Sequence, residues 1–319
     1  MEEQKLKDEM FPRIVFMGTP EFAVASLDAL VNEGFNIVGV VTAPDKPAGR
    51  GMKVSESVVK KYAVMRNLKI LQPEKLKNPD FLQELKNLNA DLQVVVAFRM
   101  LPEVVWNMPP LGTINVHASL LPKYRGAAPI NWAIINGETE TGVTTFKLTH
   151  EIDTGNILLQ KKIQIADDEI AGEVHDKLMK EGAELLVETI RKMISNDIEE
   201  KKQQTTGHAI HAPKIFTDTC RIDWNRTVAE VHNLVRGLSP YPGAFTELEG
   251  KTLKIFRSER SRKSADDEPK IKPGEHETDN KTYLRFRAQD GYLEIKELQL
   301  EGKRRMAVEE FLRGFRKNS

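Results

Sequence analysis

Asn115 and His117 stand two residues apart in the stretch TINVH, and the chain then turns polar through Ser119, Lys123 and Arg125. If TINVH is a strand, its alternation puts Asn115 and His117 on one face. A carboxamide N–H beside an imidazole is well suited to holding the oxygen of a tetrahedral acyl-transfer intermediate while a proton moves. Taken alone, an Asn-x-His pair reads more readily as a strand-end histidine satisfied by backbone. Asp153, in the turn-forming stretch EIDTGN, shifts that balance. A carboxylate there can orient the imidazole and support its protonated form, as an aspartate does in hydrolase triads. By itself, Asp153 is also an ordinary turn residue.

Other chemistries fit less well. Ser119 lacks the Gly-x-Ser-x-Gly elbow of a nucleophilic serine, and no other Ser, Cys or Lys is marked by its surroundings as a nucleophile. The set therefore suits direct transfer between two bound substrates. The turn GTPEF lacks the G-x-G-x-x-G fingerprint, which argues against a nicotinamide-dependent oxidoreductase. His208 and His211 have no third ligand nearby, so no metal is expected.

The elements that must position these residues follow from the pattern. RIVFM (13–17) is a continuous apolar run of the buried parallel-strand type, followed by an amphipathic helix ending at Gly34 and a second strand, NIVGVVT (36–42). The loop 43–55 carries two prolines, two glycines and the cations Lys46, Arg50 and Lys53, and is too long and basic for a minimal connection. Alternation continues through ESVVKKYAVMRN, KIL, a helix opened by Asn78 and Pro79, LQVVVAF, a short helix from Pro102, and GTINVH. A helix near 128–135, strands in TGVTTFKL and NILLQKKIQI, and a helix over about 171–195 complete the series. This is the pattern of an α/β, Rossmann-like open and mainly parallel sheet, which binds ligands at its strand carboxyl ends.

Residues 1–12 read as a polar extension, 13–195 as the first domain, 196–214 as a polar linker and 215–319 as a second domain. The second domain offers one helix (226–238) and the short strands GAFTEL, KTLKIFRSE, YLRFRAQ and YLEIKELQL, which suggest a small β-barrel. The charged, aromatic-free insert 260–281 is expected to be a mobile hairpin loop. No internal repeat is evident.

At 319 residues and 40% hydrophobic, the chain can fill two cores. Its 47 basic and 47 acidic residues cancel, so a polyanion must be met by a local patch and not by the whole-molecule field. The lone Cys220 excludes an internal disulfide and a cysteine-built metal cluster. MEEQKLKDEM lacks the apolar stretch of a secretory signal, and runs such as LQVVVAF fall far short of a bilayer span. The expectation is a cytoplasmic chain with no membrane partner.

RIVFMGTPEFA, PDKPAGRG, NVHASLLPKYRGAAPI, IDTGNIL, RIDWNRTVAEVHNLVRGLSPYPGAF and EEFLRGFR together resemble the methionyl-tRNA formyltransferase family from about residue 13 to the C-terminus. The Asn-x-His, Ser-Leu-Leu-Pro and Asp-x-Gly elements are shared with folate-dependent formyltransferases in general, so they indicate the chemistry and leave the acceptor open. The GTPEFA turn, the PAGRG segment and the IDW…PYPGA region are more specific to the tRNA-acting branch.

The resemblance implies a formyltransferase fold with a C-terminal OB-like β-barrel that contributes to tRNA binding. It implies transfer of a formyl group from 10-formyltetrahydrofolate, as donor co-substrate, to methionyl initiator tRNA in translation initiation. No metal or obligate protein partner is implied. Asn115, His117 and Asp153 fall on the catalytic positions; Ser119, Leu120, Leu121 and Pro122 fall on the folate-contacting segment. Arg50 falls on the position that reaches the tRNA acceptor end, and its flanking glycines let the backbone approach a ligand closely. Lys46, Lys53 and the segment GKRRMAVEEFLRGFRK add local phosphate contacts.

Two departures stand out. AFRMLP (97–102), with Phe98 and Met100, replaces a segment that often has a small residue after the aromatic, so a differently shaped donor wall is expected. Asn156 replaces a frequent Asp. Lys123, Tyr124 and Arg125 stay unassigned, because their loop can face either substrate. Two further readings stay open: a formyltransferase acting on a nucleotide-linked amino sugar, and a non-catalytic nucleic-acid-binding protein that uses the barrel alone.

Overall fold

The structure, a computed structural model, describes residues 11–48, 53–204, 210–261 and 271–315. Two compact units divide the chain: one holds residues up to Arg125, Gly142–Ile163 and Asp176–His211, the other Gly126–Thr141, Gln164–His175 and Ala212 onward. None of the described helices is long and apolar enough to cross a membrane.

The strands of the first half are Ile14–Gly18 (β1), Ile37–Val41 (β2), Lys46–Ala48 (β3), Lys53–Ser55 (β4), Ile70–Leu71 (β5), Leu92–Val96 (β6), Thr113–His117 (β7), Arg125–Gly126 (β8), Glu140–Lys147 (β9) and Ile157–Gln164 (β10). Seven of them form one sheet in the order β10-β9-β7-β6-β1-β2-β5. Pairing is parallel from β5 through β2, β1 and β6 to β7, and β9 runs antiparallel to β7. β1 and β6 are buried along their whole length, as continuous apolar runs in a covered parallel sheet require. The chain winds outward from β1 through β2 to β5, then returns to β6 on β1's other side. That reversal is the switch point beside which open sheets bind ligands, and β7 ends next to it.

At the end of β1 the turn is closed by Gly18, where a Cβ would lie 2.4 Å from the Ala23 Cβ and 3.0 Å from the Val96 carbonyl oxygen. Only glycine lets the Glu21–Asn32 helix start so near the sheet. That helix buries Phe22, Ala23, Leu27 and Leu30, and Gly34 ends it at φ +80°. Asn78 caps the Pro79–Asn87 helix by accepting from the Asp80 N–H at 2.8 Å. The long basic loop after β2 differs from expectation. Its ends pair as an antiparallel ribbon, β3 against β4, around residues outside those described.

The segment after the Ala171–Ile194 helix also departs from a free polar linker. Lys201 exchanges two backbone hydrogen bonds of 2.8 Å with Ile157, and Gln203 is buried. The short strand His211–Ala212 (β11) follows.

The second unit is built on Ala244–Leu248 (β12), Lys251–Ser261 (β13), His276–Thr278 (β14), Leu284–Arg287 (β15), Tyr292–Leu300 (β16) and Met306–Ala307 (β17). They run in the order β12-β13-β16-β15-β14, with β17 added on β16, all antiparallel, and the sheet curls into a half-barrel. Leu253, Ile255, Leu293, Ile295 and Leu298 point into the core, where Trp224 stacks on Phe286 at 4.8 Å. The insert over 260–281 is more ordered than its composition suggests. β13 runs to Ser261, β14 pairs with β15, and Asp279 closes the turn between them by accepting from the Thr282 and Tyr283 N–H groups; residues 262–270 lie outside the described residues. The helix Val228–Gly237 opens with a capping box, in which Thr227 and Glu230 each accept from the other's backbone N–H.

Replacing the cap is therefore the cleanest test of this unit. Thr227→Ala is expected to cost about 1 kcal/mol in urea unfolding, while Thr227→Ser should sit close to the parent. An unchanged midpoint in Thr227→Ala would contradict the assigned cap.

Candidate active site

The site begins at the carboxyl end of β7. Thr113, Asn115 and His117 share one face of this strand. Thr113 turns inward and donates to the Trp106 carbonyl at 2.6 Å. Asn115 is half-buried, and among the described residues its carboxamide makes no hydrogen bond. His117 is only 7% exposed.

The His117 Nε2 lies 2.9 Å from the Tyr124 carbonyl oxygen. A carbonyl can only accept, so Nε2 carries a hydrogen. On the other side, Nδ1 lies 3.8 Å from Asp153 Oδ2. That is too long for a direct hydrogen bond and short enough for an ion pair once the ring is charged. Both nitrogens thus face acceptors: a neutral ring satisfies one, a doubly protonated ring both. Phe146 packs edge-on against the imidazole with centroids 6.4 Å apart.

Both acceptors sit on left-handed backbone, Tyr124 at φ +60° and Asp153 at φ +55°. Non-glycine residues hold this conformation at a cost of roughly 1 kcal/mol or more, so the surroundings must fix it. The Tyr124 N–H donates to the Ile210 carbonyl at 2.7 Å, and the Asp153 carbonyl accepts from Gln203 at 2.8 Å. Gly155 completes the Asp-Thr-Gly turn because a Cβ there would fall 1.6 Å from the Lys147 carbonyl oxygen.

The segment Ser119–Pro122 is pinned from inside. Ser119 is fully buried and donates to the Lys123 carbonyl at 2.7 Å, which takes its hydroxyl out of any nucleophilic role. Thr144 Oγ1 donates to the Ser119 carbonyl at 2.6 Å and accepts from the Leu121 N–H at 3.2 Å and from Gln160 Nε2 at 2.9 Å. Gln160 also donates to the Leu121 carbonyl at 2.9 Å. Of the four residues, Leu120 and Pro122 keep partly exposed surface, whereas Ser119 and Leu121 turn inward and set the loop's shape.

The remaining sequence candidates lie on other segments of the chain. Phe98 packs partly buried against the core, under the Arg99 guanidinium at 5.5 Å, and Met100 is 74% exposed. Arg99 donates to the Pro73 and Glu74 carbonyls, and burial lowers its pKa from the ordinary value. Lys46 is exposed at the start of β3, and Lys53 begins β4 opposite Ala48. Arg50 lies outside the described residues. The Asn156 amide donates to Glu200 at 3.0 Å, and Lys147 pairs with the same carboxylate at 2.5 Å; Lys147 first, then Asn156, hold Glu200 below the ordinary carboxylate range. An aspartate at 156 would set a second carboxylate against Glu200.

Sequence reading missed Thr144, Gln160 and Gln203. Thr144 is one threonine in a β-rich run, and Gln203 stands in a polar stretch whose composition signals solvent. Neither position carries a local mark of burial.

Comparison with known proteins extends the geometry. The family profile described as Formyl transferase matches residues 12–190, and that described as Formyl transferase, C-terminal domain, matches residues 214–316. The methionyl-tRNA formyltransferase of Bacteroides fragilis is 54% identical over 314 residues, 95% of each chain. That of Parabacteroides distasonis is 55% identical over 321 residues, covering 95% of this chain and 96% of its own. A solved N-formyltransferase from Helicobacter canadensis, in complex with folinic acid and dTDP-3-aminofucose, matches with a TM-score of 0.66 at 21% identity, covering 89% of this chain and 98% of its own. At that identity the likeness concerns the fold.

The Thr144 hydroxyl offers a direct test of the pinned loop. Thr144→Val keeps the volume and strands the Ser119 carbonyl and the Leu121 N–H, so a loss of roughly 2–3 kcal/mol in urea unfolding is expected. A change below about 0.5 kcal/mol would show that this network does not hold the loop.

Proposed function

This chain belongs to the formyl transferase family, and from that premise we propose that it moves the formyl group of 10-formyltetrahydrofolate to the α-amino nitrogen of methionine esterified to initiator tRNA. The observation that carries this reading is the meeting of Asn115, His117 and Asp153 at one strand end, in a chain more than half identical over nearly its full length to methionyl-tRNA formyltransferases.

The neutral amine adds to the formyl carbon, and the formyl oxygen takes up negative charge. Asn115 meets that oxygen with an N–H that nothing else in the described protein uses. Collapse breaks the bond between the carbon and the folate nitrogen. One proton leaves the amine and one reaches that nitrogen, giving formylmethionyl-tRNA and tetrahydrofolate. His117 carries the proton at Nδ1, because Nε2 is committed to the Tyr124 carbonyl. Asp153 faces Nδ1 and stabilises the ring while it is charged. Leu120, Pro122, Phe98 and Met100 are assigned to the donor, and Ser119 and Leu121, turned inward, set the shape of the loop that carries Leu120 and Pro122.

The acceptor's phosphates ask for cations, and Arg50, Lys46 and Lys53, within ten residues of one another in sequence after β2, supply them although the whole chain is neutral. A nucleotide-linked amino sugar would use the same catalytic set but would not need the PAGRG segment. A barrel that merely bound nucleic acid would have no use for the set at all.

Offered formyl-folate together with either methionyl initiator tRNA or a nucleotide-linked amino sugar, the protein should formylate the tRNA; formylation of the sugar alone would overturn the assignment. In single turnover, Asn115→Ala should slow transfer on the order of a hundredfold, and a rate within a few-fold of the parent would remove Asn115 from its role. Arg50→Ala should weaken tRNA binding and reduce the slope of log affinity against log salt by about 1. An unchanged slope would remove Arg50 from the tRNA contact.

A further inference from the structure

Gln203 is buried, at 6% exposure, between Lys202 and Gln204, both exposed, in the polar run that follows the long helix. Its carboxamide is used at both ends. Oε1 accepts from Arg125 Nε at 3.1 Å and Nη2 at 2.6 Å, and Nε2 donates to the Asp153 and Gly155 carbonyls, each at 2.8 Å. The orientation of the amide follows from its partners. Turned over, it would aim N–H at a guanidinium and oxygen at two carbonyls, four contacts of like character.

Those partners are the two shoulders of His117. Arg125 follows Tyr124, whose carbonyl holds Nε2, and the Asp153 turn presents the carboxylate to Nδ1. One side chain therefore links the backbone beside each acceptor. The reciprocal backbone pairing of Lys201 with Ile157 sets the segment in register, so that Gln203 meets the turn.

We propose that Gln203 is a positioning residue for formyl transfer: through its two donated hydrogen bonds it fixes the left-handed Asp153 turn, and through Arg125 it ties that turn to the Tyr124 side of His117. This inference rests on the formyl-transfer reading of the site. Without those bonds the turn relaxes toward ordinary backbone and the carboxylate withdraws from a ring it already meets at only 3.8 Å. Substrate contacts are untouched, so the effect belongs in turnover and not in substrate affinity.

The test is single-turnover and steady-state formylation of methionyl-tRNA by Gln203→Glu and Gln203→Ala, alone and combined with Asp153→Asn. Gln203→Glu keeps the acceptor toward Arg125 and removes the donor toward the turn, and it decides the question where Gln203→Ala is not folded by circular dichroism. We expect transfer slowed about tenfold or more, KM for both substrates within roughly threefold of the parent, and less than about a twofold further loss when Gln203→Glu is added to Asp153→Asn. A rate within about twofold of the parent, a change confined to KM, or full additivity with Asp153→Asn would overturn the proposal. If the parent formylates no methionyl-tRNA, the functional reading itself fails. If the parent is active and Asp153→Asn impaired while the Gln203 variants behave as the parent, only the role of Gln203 fails.

Discussion

The His117 ring lies between a carbonyl at 2.9 Å and a carboxylate at 3.8 Å, and the rest of the site depends on keeping those two acceptors where they are. The sheet supplies the floor: β7 is parallel to β6 and antiparallel to β9, so the position of the ring is fixed by backbone pairing on both sides. The acceptors are not in the sheet. Each stands on a left-handed residue in a loop, and each is held by the segment that returns after the long helix. A part of the chain remote in sequence from His117 and Asp153 thereby holds the backbone on both sides of the ring.

The polar groups around the ring are almost wholly used. The buried Ser119, Thr144, Arg125 and Gln203, with the more exposed Gln160, satisfy one another or the backbone of the two loops, and burial of the first four stiffens the network. Asn115 is the exception, since its carboxamide makes no hydrogen bond among the described residues. A donor left unused beside a fully used network is the arrangement expected where charge develops only during reaction, because it needs no rearrangement when the oxyanion forms.

The parallel strands were legible because a covered sheet demands continuous apolar runs, and RIVFM and LQVVVAF have no other use in an α/β fold. Asn115 and His117 were legible through strand alternation, and Asp153 through its turn. Ser119 was visible as a residue but not as a structural one, since the direction of a hydroxyl is a tertiary fact. Gln203 was invisible: a run of Lys and Gln reads as solvated, and only pairing with Ile157 draws one of its members inward. β14 hid for the same reason, because a charged insert reads as loop until β15 offers it a partner. Arg50 stands on sequence and family likeness alone.

The most direct measurement is the tautomer of His117, read from the 15N chemical shifts of its ring in selectively labelled protein under conditions where the ring is neutral. The proton should sit on Nε2, donated to the Tyr124 carbonyl, with Nδ1 bare toward Asp153, and formyl transfer should be lost when Nδ1 is blocked by methyl-histidine replacement. A neutral ring protonated on Nδ1, or full activity with Nδ1 methylated, would contradict the account.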